Sequence, residues 1–429
     1  MLVMFRVRNF ASFKEETVLD LRAVSYKDMK NHVLKAGNNN IVKTLAIYGK
    51  NASGKSNLIS ALYYFESFIF NQFYDGGNKR DDEEIMGRMP DIQRNTFRLS
   101  DEPDNSSEFE IIFVSHGKTY QYGFSMSELE NDTIIDEEWL LADEKTVFER
   151  ENQQIIPGKK YEKELESIRK VRQDRLYLGT LDYFVDGEVK NIIDDIKEYF
   201  RKSFNVHFEL ILESSIKGVV TGVSYSERLF TDQNYKEIVE RFVRLADVGI
   251  TKIIIRENKE ISGPGSPKYV IKTVHNVYDK NGKVVREEEF DLKMESSGTI
   301  RYFSFIQYIL RILDEGGVFI VDEISARLHP VLTKFIVDLF QSKRNTRAQL
   351  IFTTHDLSLM NRHQMRRDEI AFVEKNEMGV SSLYTLADIK ARSDASFSKD
   401  YLNGKYGAIP VINEHELDCK AVEEWLWAD

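Results

Sequence analysis

The chain has 429 residues, 42% of them hydrophobic and 12% aromatic, enough for two or three packed domains or one large domain with an insertion. Its net charge of −11 excludes a uniformly basic surface, so any DNA contact needs a local basic patch or a complex. One cysteine, Cys419, excludes an internal disulfide and fits the cytoplasm, and no apolar run is long enough to cross a membrane.

Residues 1–150 read as β-rich. Leu2, Met4 and Arg6 alternate with Val3, Phe5 and Val7, and this strand enters Asn9-Phe10-Ala11-Ser12-Phe13. The β-like run Thr44-Leu45-Ala46-Ile47-Tyr48 leads into Gly49-Lys50-Asn51-Ala52-Ser53-Gly54-Lys55-Ser56, and a helical pattern begins at Asn57. A G-x-x-x-x-G-K-S loop between strand and helix is a phosphate cradle. Gly49 and Gly54 let the backbone curl, so that the N–H groups through Asn51, Ala52 and Ser53 and at Asn57 face phosphate oxygens. The helix start adds positive charge. Lys55 is placed to reach the β- and γ-phosphates, and the Ser56 hydroxyl to complete a Mg²⁺ shell. The pattern implies binding of a nucleoside triphosphate.

Residues 66–105 are acidic and polar, with Asp81-Asp82-Glu83-Glu84 at their centre, and read as an exposed loop or peripheral helix. Strands are predicted over 109–114, 119–124 and 133–140, the first two joined by a Ser115-His116-Gly117-Lys118 hairpin turn. From about 158 to 245 the pattern becomes helical and charged, without sustained heptads, which predicts a compact helical insertion and no long coiled-coil arm. Strands around 252–256, 268–274 and 283–292 return the chain to a sheet.

Met294-Glu295-Ser296-Ser297-Gly298-Thr299 then precedes a helical run from Ile300. A hydroxyl-rich, glycine-containing helix start can bind an anion, and it can equally be an ordinary cap. Gly317-Val318-Phe319-Ile320-Val321 is an apolar strand that ends on Asp322 and Glu323. Asp322 can hold Mg²⁺, and Glu323 is placed to polarise the attacking water. A last apolar strand, 349–353, runs through Thr354 to His355, whose imidazole can report on the γ-phosphate. The long separation of Lys55 from Asp322 requires a large insertion between the halves of the nucleotide fold.

Taken together, these residues resemble the ABC-type ATPases of the SMC, RecF and OLD kind. Within that group the chain is most similar to the AAA-family ATPases of bacterial anti-phage systems, the RloA-like proteins and the ATPase subunit of PARIS. The resemblance is carried by the Asn9–Phe13 motif, the phosphate loop, Glu295-Ser296-Ser297-Gly298-Thr299 as signature, and Asp322-Glu323. It continues through Ser325-Ala326-Arg327-Leu328-His329-Pro330 and Thr353-Thr354-His355. Ser297 and Thr299 replace the glycine and glutamine of transporter-like signatures, and the Q-loop candidates are Gln93 and Gln121.

The resemblance implies an α/β ABC-type P-loop ATPase head, a β-rich lobe plus a parallel-sheet lobe, with a mainly helical insertion. Residues 1–150 and 251–429 would form the halves of the head and 151–250 the insertion. Its cofactors would be ATP and Mg²⁺, with Lys55, Glu323 and His355 catalytic and Ser56 and Asp322 on the metal. Homodimers or higher homo-oligomers would sandwich ATP between the loop of one chain and Ser296 and Gly298 of the other. The expected role is a sensor or regulator of phage defence. It would control a partner effector, a TOPRIM-type nuclease, and respond to a phage component. The alternative is a RecF-like repair ATPase acting directly on DNA through the basic clusters 343–347 and 362–367, and a transporter subunit is a third reading. The short segment after Thr385 leaves no room for a second catalytic domain.

Overall fold

The computed structural model describes residues 1–74, 94–130, 132–207, 228–246, 249–258, 269–326, 328–389 and 396–409. The acidic 81–84 segment, Gln93, Arg327, Cys419 and the Glu423–Asp429 tail lie outside these residues.

Ten strands occupy the first part of the chain: β1 (Leu2–Arg8), β2 (Thr17–Asp20), β3 (Val33–Ala36), β4 (Asn39–Val42), β5 (Thr44–Tyr48), β6 (Ser107–Ser115), β7 (Lys118–Leu129), β8 (Asp132–Ala142), β9 (Lys145–Glu151) and β10 (Gln154–Pro157). Eight follow: β11 (Phe204–His207), β12 (Ile250–Glu257), β13 (Tyr269–Tyr278), β14 (Val284–Asp291), β15 (Gly317–Val321), β16 (Ala348–Thr353), β17 (Ile370–Lys375) and β18 (Ser381–Thr385). They form a seven-stranded antiparallel sheet in the order β10-β9-β8-β7-β6-β1-β2 and a six-stranded sheet in the order β11-β15-β16-β5-β17-β18. In the second sheet every pairing is parallel except β17 with β18.

Helix α1 (Lys55–Tyr74) lies between the two sheets. Its Leu58, Leu62 and Phe65 share a core with Phe109 and Phe124 of the antiparallel sheet and with Ile47 and Ile320 of the parallel one. Phe65 stacks on Phe124 at 5.5 Å and meets Phe5 edge-on at 5.5 Å. The opposite face of the parallel sheet, including Phe319, Leu350 and Phe352, packs on the helices Ser297–Glu315 and Pro330–Gln341. Covered on both faces, its strands read as continuous apolar runs, as buried parallel strands do.

In β1 Phe5 and Val7 join the α1 core, Arg6 and Arg8 are half-buried on the opposite face and pair with Glu16, Glu108 and Asp104, and Val3, beside a register shift, packs with Leu34, Ile41 and Val114. Two expectations are modified. The three strands between residues 250 and 291 do not join either main sheet but form a sheet of their own, β12-β13-β14. The region 158–245 is helical at Glu162–Leu165, Tyr177–Phe184, Gly187–Glu198 and Gln233–Ala246, yet it also supplies β11, which extends the parallel sheet beside β15. The β6–β7 turn is as expected. His116 (φ 48°) and Gly117 (φ 78°) both take left-handed values, as a two-residue hairpin turn requires.

Candidate nucleotide-binding and hydrolysis site

The phosphate loop joins the C-terminal end of β5, a strand buried along its whole length, to the first turn of α1. Gly54 sits at φ 114°, a conformation that side-chain-bearing residues rarely adopt. A Cβ there would stand 2.5 Å from Ser381 Oγ and 2.8 Å from Ser12 Oγ. Those hydroxyls underpin the loop. Asn57 Nδ2 donates to Ser12 Oγ at 2.7 Å, and Ser381 Oγ donates to the Ser53 carbonyl at 2.6 Å. The Asn9–Phe13 motif thereby gains a physical role. Asn9 and Ala11 both take φ 50°, and the resulting turn carries Ser12 under the loop. Among the described residues the buried Ser53 Oγ has no hydrogen-bond partner.

Lys55 is 5% exposed and spans the loop from within. Its Nζ donates to the carbonyls of Gly49 at 3.0 Å and Lys50 at 3.2 Å, and to His355 Nε2 at 3.1 Å. An ammonium can only donate, so Nε2 accepts and the imidazole is neutral with its proton on Nδ1. Electrostatics agree: partial burial and the neighbouring Lys55 charge hold His355 below its usual range, although Asp322 opposes them. Burial likewise lowers Lys55, against the pull of Glu323 and Asp322. Glu323 Oε1 lies 3.4 Å from the same His355 nitrogen. The three residues assigned catalytic roles from the sequence therefore converge.

The acidic turn is held by β16. Thr353 Oγ1 donates to Asp322 Oδ1 at 2.6 Å and accepts from the Glu323 main-chain N–H at 2.7 Å. Beyond it, Ser325 Oγ and Thr354 Oγ1 lie 2.8 Å apart. A cavity of about 280 Å³ opens beside Gly49, Lys50, Asn51, Thr354 and His355, backed by Tyr48, Leu357 and Tyr401. Asp322, 7% exposed, and the exposed Ser56 hydroxyl are hard oxygen donors of the kind Mg²⁺ takes. That ion typically uses one or two protein oxygens and completes its shell with phosphate and water. Among the described residues no group of three or more His, Cys, Asp or Glu could hold a metal, which is compatible with this mode of binding.

The signature segment stands apart. Ser296 caps the helix Ser297–Glu315, accepting from Thr299 N at 3.1 Å, and both Ser296 and Ser297 are exposed. Among the described residues no hydrogen bond links Ser296 or Gly298 to the phosphate loop of the same chain. Glu295, just before it, accepts from His275 Nε2 of β13 at 2.7 Å and from the Thr273 hydroxyl. Gln121 is not at the site. It lies on β7 and donates to Glu110 Oε2 at 3.0 Å. In the 362–367 cluster Arg362 and His363 are exposed and Arg367 is half-buried, whereas Gln364, Met365 and Arg366 are buried, and Arg366 pairs with Asp368 at 2.7 Å.

Sequence reasoning did not single out Thr353, Ser381, Tyr401 or Arg301 as site residues. Three are small or aromatic residues within strands or helices. Arg301 reads as a charged position early in an amphipathic helix, yet it is 2% exposed and its Nη2 donates to the Glu323 carbonyl at 2.8 Å.

Among solved structures, the Smc head bound to the C-winged helix domain of ScpA aligns over 90% of this chain and 97% of its own, at 13% identity and TM-score 0.47. The SMC head domain from Thermotoga maritima aligns over 90% and 98%, at 14% identity and TM-score 0.42. No curated protein matches the chain. The α/β class stands on the strand order and the strand–loop–helix around Lys55, and among the described residues no helix is long and apolar enough to cross a membrane. Residues 45–361 match one family over most of the chain, from β5 past His355, and the protein belongs to that family, described as AAA domain, putative AbiEii toxin, type IV TA system.

Proposed function

We propose that this protein binds and hydrolyses ATP as an ABC-type ATPase head, and that its ATP state controls a separate effector in phage defence. The observation that carries the ATPase reading is the meeting of Lys55, His355 and Glu323 at the mouth of the phosphate loop. An entering triphosphate would draw the Lys55 ammonium from the Gly49 and Lys50 carbonyls onto phosphate oxygens. That move frees His355 Nε2, a neutral acceptor, to face the γ-phosphate or the water attacking it. Glu323 is placed to accept that water's proton. Ser56 and Asp322 would hold a Mg²⁺, which supplies charge neutralisation on the phosphates when bound. On this reading residues 1–150 and 251–429 carry the two halves of the head and 151–250 the insertion.

The exposed Ser296 and half-buried Gly298 would complete the site of a second copy, so that ATP joins two heads. Phosphate charge is fully neutralised only when both chains contribute, and hydrolysis would weaken the pair. The family description names a toxin of a toxin–antitoxin system, which supports a protein that works with a partner. We take that partner to be an effector nuclease of TOPRIM type, released or rearranged when a phage component changes the ATP state.

Two measurements test the reading. Purified protein should release phosphate from ATP with Mg²⁺, and the Lys55→Ala variant should not. Cells expressing this chain alone should remain phage-sensitive and gain protection only with the effector gene. Full protection by the chain alone, or nucleic-acid cleavage by the purified chain, would place the effector within it and overturn the two-component model.

A further inference from the structure

We infer that Arg301 is a positioning residue for Glu323, and that it ties the orientation of that carboxylate to the helix whose first turn carries Ser296. The inference rests on the ATPase reading above. Its starting point is a strained residue. Glu323 takes φ 51°, a left-handed value that costs a side-chain-bearing residue about 1–2 kcal/mol. Such conformations persist where the surroundings over-determine them, and they cluster at functional sites.

Here the restraint comes from both sides of the residue, through the two peptide units that flank its Cα. Thr353 Oγ1 accepts the Glu323 N–H, and Arg301 Nη2 donates to the Glu323 carbonyl. The Arg301 guanidinium is itself fixed. It is 2% exposed, and it lies over the Phe305 ring at 4.9 Å, one turn further along the same helix. The planar donor set of this buried guanidinium holds the carbonyl against rotation.

The consequence follows from where Arg301 sits. Ser296 caps this helix and Arg301 lies in its second turn, so the helix that presents Ser296 and Gly298 outward also grips the Glu323 peptide inward. A displacement of the helix when a second copy docks on Ser296 would move the Glu323 carbonyl with it, and so turn the carboxylate toward or away from the attacking water. Nucleotide binding, which rests on the loop around Lys55, would be left alone.

The test compares Arg301→Met, Arg301→Lys and the parent protein, each with Glu323 and with Glu323→Gln. Steady-state ATP hydrolysis is measured alongside binding of a fluorescent ATP analogue. Arg301→Met should lower kcat about 10- to 100-fold, in line with a misplaced catalytic group, while analogue affinity stays within about twofold. Arg301→Lys keeps the charge and a donor but not the fork, and should restore part of kcat. In the Glu323→Gln background neither substitution should lower kcat further, because the positioned group is already disabled. If Arg301→Met does not fold, the Arg301→Lys arm decides the matter through the same lack of additivity. Glu323-dependent hydrolysis that survives both substitutions overturns this inference and leaves the ATPase reading standing. So does a loss of analogue binding equal to the loss of kcat, or a fully additive loss with Glu323→Gln. Absence of any Glu323-dependent hydrolysis in the parent protein overturns both.

Discussion

Replacing Thr353 by valine isolates one atom of the candidate site. The two side chains have nearly the same shape, so no cavity opens in the buried β16 position, where Thr353 is 0% exposed. What disappears is an acceptor for the Glu323 N–H at 2.7 Å and a donor to Asp322 Oδ1 at 2.6 Å. A buried N–H left without a partner costs about 1–3 kcal/mol, and a hydrogen bond to a charged group contributes about 1.5–3 kcal/mol. Asp322 is not fully enclosed and can recover part of its loss from water, so the net destabilisation should be about 2–4 kcal/mol. Because the same atom fixes both acidic residues, kcat should fall at least about tenfold. Thr353→Ser keeps the hydroxyl and loses one methyl, a cost of about 1 kcal/mol, and should retain most of the turnover. Denaturant unfolding and steady-state ATP hydrolysis measure the two effects. A valine variant within about 0.5 kcal/mol of the parent with unchanged kcat, or a serine variant as damaged as valine, would refute the argument.

Three further outcomes are expected. Lys55→Ala should abolish nucleotide binding because it removes the ammonium that neutralises the triphosphate, whereas Glu323→Gln should bind ATP and hydrolyse it about 100-fold or more slowly; wild-type hydrolysis by Glu323→Gln means the general base lies elsewhere. Ser296→Arg should bind ATP as a monomer yet fail to associate with it in light scattering, and mixing it with Lys55→Ala should restore one composite site of two; undiminished association by Ser296→Arg alone sinks the head-to-tail arrangement. Glu66 on α1 is fully buried, and burial holds its carboxyl well above the ordinary 4.5, with a Val206 main-chain hydrogen bond only partly opposing the shift. A raised native value means that the folded state binds the extra proton. That stabilisation is complete below 4.5 and is lost as pH rises through the raised value. The parent protein should therefore lose stability as pH rises from 4.5 to that raised value, and Glu66→Gln should flatten that loss; an equal slope for both proteins counts against a protonated Glu66.

The parts of this protein that can be read from its sequence are those set by neighbours along the chain. Thr44–Tyr48 is apolar because both faces of its strand are covered, and the glycines after it are required by local backbone angles, so strand, loop and helix are visible together. The same holds for the strand ending on Asp322 and the His116–Gly117 turn. In β1 the alternation of Phe5 and Val7 with Arg6 and Arg8 is legible as one dry and one ion-paired face, whereas the burial of all of Leu2–Met4, beside a register shift, is not.

What the tertiary structure decides is everything that depends on strand order. β5 lies between β16 and β17, although some 300 residues separate β5 from each in sequence, and only that order brings Lys55, His355 and Glu323 to one point. Ser12, Ser381 and Arg301 belong to three distant segments, and nothing in their local sequence distinguishes a hydroxyl under a loop, or a guanidinium on a carbonyl, from ordinary surface polarity. Periodicity records which side of an element is covered. It does not record by what, because the covering partner is chosen by long-range packing.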